Sequence, residues 1–224
     1  MKRLVVISAM LATAMNIGSA MASESVALKQ IDVDTSQAAR QRGAETVIST
    51  CMLCHSLKYL KFSDLDGIGM SKENIESLLM DQHISDRMNS LTPIEIRKES
   101  YGKVPPDLSL MAIAREHGPQ YVYSLLTGFY NRDDGEVGNH VFPGIKMPDA
   151  LGYADTAEGS SDRADTEAQA RDVVAFLTWA ADPNAGTRHT IGVYVIIYLI
   201  IMTALLYRVK KRVWRKLNAS TADH

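Results

Sequence analysis

The sequence predicts an all-α exported domain with long loops, followed by one C-terminal transmembrane helix. Three observations predict it. Apolar residues recur at helical spacing in several separate runs between positions 36 and 181, and no two segments read as a strand pair. A short apolar run at the start and a longer one near the end bracket that region. Between the helical runs lie stretches rich in Gly, Pro and Asp. Loops that long in a compact domain usually wrap something.

At the N-terminus, Met1-Lys2-Arg3 precedes an apolar run over residues 4–14, and Ala20-Met21-Ala22 is a small-x-small cleavage site. Charged start, short apolar core and small-residue exit make residues 1–22 a secretory signal peptide. The run is too short to span a bilayer well. The mature domain covers residues 23–186. After a lead-in, a helix starts near Thr35 or Ser36 and runs through Ala38, Ala39, Val47 and Ile48 toward Cys51. Residues 64–100 are polar and helical in pattern, most clearly over 74–80. The run Lys103-Val104-Pro105-Pro106-Asp107 breaks the chain. A helix is expected over 108–116, stopped by His117-Gly118-Pro119, and another over 120–127, ended by Gly128. Residues 131–165 read as loop. Asp165 or Thr166 caps a helix to Ala181, on which Ala168, Val173, Val174, Phe176, Leu177 and Ala180 recur at helical spacing. Asp182-Pro183-Asn184-Ala185-Gly186 is the hinge to the next segment.

That segment, residues 190–207, carries no charge over 18 residues, near the minimum for a bilayer core. No face of it is polar, which argues against a buried core helix. Arg208, Lys210, Lys211, Arg212, Arg215 and Lys216 follow at once. Such a cluster stays cytoplasmic, so 208–224 is a cytoplasmic tail and the folded domain lies in the periplasm, on a bacterial inner membrane. Tyr194, Tyr198, Tyr207 and Trp214 suit the lipid interfaces. Residues 23–189 hold 16 Lys and Arg against 25 Asp and Glu, a net charge of −9. This excludes a nucleic-acid binder of the usual basic kind and favours basic protein partners. Acidic residues at 133, 134, 136, 149, 155, 158, 162 and 165 flank the segment around Met147 and are candidates for docking such a partner.

The chain has only two cysteines, in Cys51-Met52-Leu53-Cys54-His55. This is the C-x-x-C-H haem-attachment motif. Two thiols three positions apart on one turn reach the two vinyl groups of one haem, and His55 then faces the iron. A thioredoxin-like redox pair needs neither the His nor these surroundings, and a zinc site needs two further ligands near by. The domain is therefore a cytochrome c-like haem fold holding one haem c through Cys51 and Cys54. The sixth ligand must come from elsewhere. Met closes the iron to substrates and raises its potential. The mature chain offers Met52, Met70, Met80, Met88, Met111, Met147 and Met202. Met202 lies in the membrane run and Met52 inside the motif; Met80 and Met111 occupy apolar helical positions expected in the core. Met147, in Phe142-Pro143-Gly144-Ile145-Lys146-Met147-Pro148, sits on a rigid loop suited to a metal. His83, His117 and His140 remain rivals on spacing alone.

Four further blocks follow the haem motif in order. They are Pro105-Pro106-Asp107-Leu108-Ser109 with Ala114-Arg115; Tyr121-Val122-Tyr123-Ser124-Leu125-Leu126-Thr127-Gly128-Phe129; Phe142-Pro143-Gly144 leading to Met147-Pro148; and Asp172-Val173-Val174-Ala175-Phe176-Leu177-Thr178-Trp179-Ala180-Ala181-Asp182-Pro183. In this order the chain resembles cytochrome c1, the haem subunit of the bc1 (quinol–cytochrome c reductase) complex, over nearly all of its mature length. The resemblance implies Met147 as axial ligand opposite His55, and Arg115 beside a haem propionate. A guanidinium suits a buried carboxylate. It implies Tyr121 beside the haem and Pro105 and Pro106 lining its pocket. It implies a chain that catalyses nothing alone. Such a chain takes electrons from the Rieske iron–sulfur protein and passes them to a soluble or anchored cytochrome c. Cytochrome b and membrane lipid are its other partners, in a dimeric complex. Two departures stand out: residues 130–142 form a short loop for this family, and residues 59–103 are less similar. The rival readings are an anchored monohaem subunit of another oxidase or dehydrogenase, or an open-site haem enzyme.

Overall fold

The computed structural model describes residues 27–222; the signal-peptide reading of residues 1–22 lies outside them. The domain is mostly helical. α1 (Gln37–Ser49) leads into a 3-10 turn at Cys51–Leu53. β1 (Leu57–Lys61), a second 3-10 turn (Phe62–Ile68), α2 (Lys72–Leu78), β2 (Arg87–Met88) and α3 (Ile94–Tyr101) follow. Then come α4 (Gly118–Leu126), β3 (Phe129–Asn131), β4 (Val137–Asn139), a third 3-10 turn (Tyr153–Asp155), α5 (Ser161–Ala181) and α6 (Ala185–Ala222).

The crossing of α1 and α5 is the frame. Gly43 of α1 comes so close to α5 that a Cβ there would lie 2.0 Å from the Asp172 carbonyl oxygen, so only glycine permits this approach. Arg42 grips the Asp172 carboxylate with two donors, at 2.6 and 2.8 Å. Inside, Ala44, Val47 and Ile48 meet Val173, Val174, Phe176 and Leu177, all buried. Phe62, Leu65, Ile68 and Ile75 extend this core, each contributing roughly 1.5–3 kcal/mol on burial. Ser36 caps α1 as expected, its Oγ accepting from Ala39 N.

Five expectations need correction. Two antiparallel strand pairs exist: β1 with β2, where Leu57 faces Met88, and β3 with β4 as a hairpin inside the stretch read as loop. Residues 108–116 are not a helix but successive turns. Met111 N donates to Leu108 O and Ile113 N to Leu110 O, with one helical bond, Ala114 N to Leu110 O. Turns that return every three residues give apolar residues a helix-like spacing. His117-Gly118-Pro119 opens α4 instead of ending a helix, since proline suits a first helical turn and His117 supplies the left-handed kink at φ +53°. α5 begins at Ser161, because Ser160 caps it by accepting from Arg163 N. Its first turn is polar and exposed, so apolar periodicity does not mark it. Finally, Met80 lies beyond the end of α2 and is 60% exposed, so it is not core.

α6 follows α5 after a three-residue break and runs far past the uncharged segment. Residues Ala185–Arg215 are long and apolar enough to cross a membrane. At helical rise these 31 residues reach roughly 46 Å, beyond the ~30 Å of a hydrocarbon core.

Candidate functional site: a haem-sized pocket

The turn after α1 places Cys51, Cys54 and His55 on one wall of a deep cavity. Together with the open solvent at its mouth, the space spans about 1130 Å³. Its wall is almost wholly apolar: Leu108, Val122, Leu125 and Leu126 come from the middle of the chain, and Val173 and Leu177 from α5. Pro105 and Pro106 also line it, as do Arg115, Tyr121 and Met147. All eight residues singled out in the sequence thus meet at one place.

His55 is buried, and its Nδ1 lies 2.7 Å from the Pro106 carbonyl oxygen. A carbonyl only accepts, so Nδ1 carries the proton and Nε2 keeps a free lone pair. Burial pushes the His55 pKa below its ordinary value, which keeps the ring neutral, the form that ligates a metal. Pro106 is held in turn by a short zipper between the residues after the haem motif and the Pro-Pro block. Leu108 N donates to Ser56 O at 2.8 Å, Lys58 N to the Asp107 carboxylate at 3.1 Å, and Tyr59 N to Ser109 Oγ at 3.2 Å. This is why the two blocks, fifty residues apart, act as one wall.

Cys51 and Cys54 are free thiols. Burial first, and Cys54 beside it second, push the Cys51 thiol up to about 11, so it stays protonated at neutral pH. Arg97 of α3 donates to Cys54 O at 2.9 Å, and the Tyr101 hydroxyl lies 3.4 Å from Cys54 Sγ. At the mouth, the Arg115 guanidinium stacks 4.5 Å from the Tyr121 ring centroid. Lys103 lies 5.4 Å from the ring of Phe142, and Lys146 joins them in the lining. The lining holds three cations and no carboxylate. The acidic runs at 133–136 and 155–165 do not line it.

Several wall residues escaped the sequence reading. Tyr101, Lys103 and Lys146 carry no motif of their own. Met111, expected in a helix core, lines the cavity with Met147. Met70 and Met88 are buried in the core, away from the lining. His117 and His140 are exposed and, like His83, do not line the cavity.

The residues present fit a haem. Two thiols and a neutral imidazole with a free Nε2 sit on one side, and a thioether donor is in the same lining. The cavity is apolar apart from three exposed cations, Lys103, Arg115 and Lys146, which suit the acidic substituents of a haem. Against known families, the Cytochrome C1 family model matches residues 28–101 and 91–217. The chain belongs to the cytochrome c1 family. Cytochrome c1 of Rhodospirillum rubrum is 30% identical, the alignment covering 78% of this chain and 80% of that one. The ammonia monooxygenase gamma subunit of Nitrosomonas europaea is 28% identical, over 80% of this chain and 83% of that protein. A protein named cytochrome b/c1 from Bradyrhizobium diazoefficiens is 30% identical over 79% of this chain, but only 33% of its own length is covered. Cytochrome c1 membership makes this chain a haem-bearing electron-transfer subunit of the bc1 type.

Proposed function

We propose that the chain relays single electrons from the Rieske iron–sulfur protein to a soluble or anchored cytochrome c. Cys51 and Cys54 would hold one haem c through thioethers, and His55 and Met147 would ligate its iron. The bound group supplies a one-electron couple at a potential raised by thioether ligation. The chain's own residues do the rest. The Pro106 carbonyl fixes the tautomer and rotation of His55. Leu108, Leu125, Leu126, Val173 and Leu177 exclude water, and Arg115, stacked on Tyr121, would pair with a propionate. No acid, base or nucleophile is required.

The observation that carries this reading is the convergence of C-x-x-C-H, the Pro-Pro block, Arg115 and Met147 on a single apolar cavity. Cytochrome b is the membrane partner in this reading. The relative whose name joins b and c1 supports that pairing, since this chain matches only a third of its length. The haem domain, residues 23–186, faces the periplasm of a bacterial inner membrane. It is anchored by 190–207 with 208–224 in the cytoplasm, after removal of residues 1–22, and the assembly is dimeric. The test is covalency. After acid–acetone extraction, haem should remain with the denatured wild-type chain, and a Cys51→Ser/Cys54→Ser variant should retain none. Haem that extracts freely from the wild type contradicts the reading.

The ammonia monooxygenase relative motivates a second reading, an anchored haem subunit of another oxidoreductase. The two separate on what co-purifies with the intact chain: a multi-span b-type cytochrome, or a different membrane oxidase or dehydrogenase.

A further inference from the structure

We propose that Asn139 is the positioning residue for Met147, clamping the loop that carries it to the wall formed by α4. The proposal rests on Met147 as the sixth ligand. Residues 142–148 have little to hold them. Phe142, Pro143, Gly144, Lys146 and Pro148 are exposed, and among the described hydrogen bonds the loop makes one of its own, Ile145 N to Phe142 O at 3.1 Å. An unsupported loop of this kind does not hold a thioether at a fixed distance from a metal.

Asn139 supplies the support. It is 2% exposed, at the end of β4, directly before the loop. Its Nδ2 donates to the Leu125 carbonyl at 2.8 Å. Its Oδ1 accepts from Val141 N at 2.9 Å and Phe142 N at 3.1 Å. Both lone pairs of the oxygen are in use, so the amide bridges two stretches of backbone. Both stretches belong to the cavity wall, since Leu125 and Phe142 line it. The side chain therefore sets the spacing between α4 and the loop. Water is a poor substitute at 2% exposure, so a lost bond leaves a buried group unpaired. Leucine matches the volume but supplies none of the three bonds. Aspartate supplies the acceptors without the donor to Leu125.

The experiment uses the full-length, haem-loaded chain in its membrane complex and compares Asn139→Leu, Asn139→Asp and Met147→Leu with the double variant Asn139→Leu/Met147→Leu. The readouts are the weak near-red band of Met-bound ferric haem, the reduction potential, and amide exchange at Val141 and Phe142. Asn139→Leu should lower the ratio of Met-bound to Met-released ferric chains about tenfold, the scale of the one buried bond that ties the loop to α4. It should lower the potential and speed exchange at both amides. Asn139→Asp should show the same loss of the band while exchange at the two amides stays slow, because both loop bonds remain and the tie to α4 is gone; its potential also carries the added carboxylate charge, so the band is the readout for this variant. In the Met147→Leu background, Asn139→Leu should no longer move the potential, since its effect runs through that ligand. An unchanged band in both single variants overturns the proposal. So does a potential shift that persists without Met147. If Asn139→Leu does not assemble, Asn139→Asp, which keeps both loop bonds, decides the matter. A band that survives Met147→Leu itself is a different result, and removes the ligand assignment beneath the proposal.

Discussion

Met147 and Met111 line the same cavity, so proximity alone does not choose between them as sixth ligand. What favours Met147 is its place on a Pro-flanked loop, in the Phe142-Pro143-Gly144…Met147-Pro148 block by which the chain resembles cytochrome c1. Met111 belongs to the turn after the Pro-Pro block, its backbone N donating to Leu108 O at 3.1 Å. Met147→Leu should therefore abolish the Met–ferric band and lower the potential, because thioether ligation favours ferrous iron. Met111→Leu should leave the band in place. Visible spectra and a redox titration of both variants check this, and the reverse pattern would transfer the ligand to Met111. The sequence reads Met111 as core for a physical reason. A cavity wall and a protein core are both apolar, and no local signal separates them. The haem motif is legible because its chemistry demands three residues at fixed spacing. Asn139 is not, because its value lies in backbone partners fourteen and two to three positions away.

The zipper between residues 56–59 and 106–109 is the element that turns the Pro-Pro block into a haem wall. Ser109 is fully buried and its Oγ accepts the Tyr59 amide, so Ser109→Ala leaves that donor unpaired. A loss of about 1–3 kcal/mol in unfolding free energy is expected, read from the denaturant midpoint. Asp107→Ala removes the acceptor of two amides, the exposed Lys58 N and the Ser109 N at 2.9 Å inside the fold, so it should cost at least as much. A clearly smaller loss would mean that water replaces the Asp107 carboxylate at both amides. The helical elements were legible where a cap coincides with an apolar start, as at Ser36. They were misplaced where the first turn is polar, as at Ser161, or where turns mimic helical spacing, as at 108–116. The β3–β4 hairpin did carry a signal. Asp134-Gly135 sits between the strands with Gly135 at φ +82°, a turn dipeptide of the kind that joins short strands. Strands of three residues are too short for alternation to show around it.

At the scale of the whole chain, an acidic domain is joined to a long apolar helix by Asp182, Pro183 and Asn184. Arg188 pairs with Asp182 across that joint, and Ala185 N donates to Asp182 O at 3.1 Å. In the proposed topology the basic cluster from Arg208 onward stays on the cytoplasmic side. A reporter active only outside the cytoplasm should work when fused after Gly186 and fail after Lys216; the opposite pattern would invert the topology. Charge is also divided within the domain, acidic overall yet lined by Lys103, Arg115 and Lys146 at the cavity mouth. The most direct test is to purify the intact complex through this chain and add quinol. A multi-span b-type cytochrome should co-purify, and quinol should reduce the covalent c-type haem. A c-type haem that arrives without a b-type partner, or that quinol leaves oxidised, would contradict the proposed function.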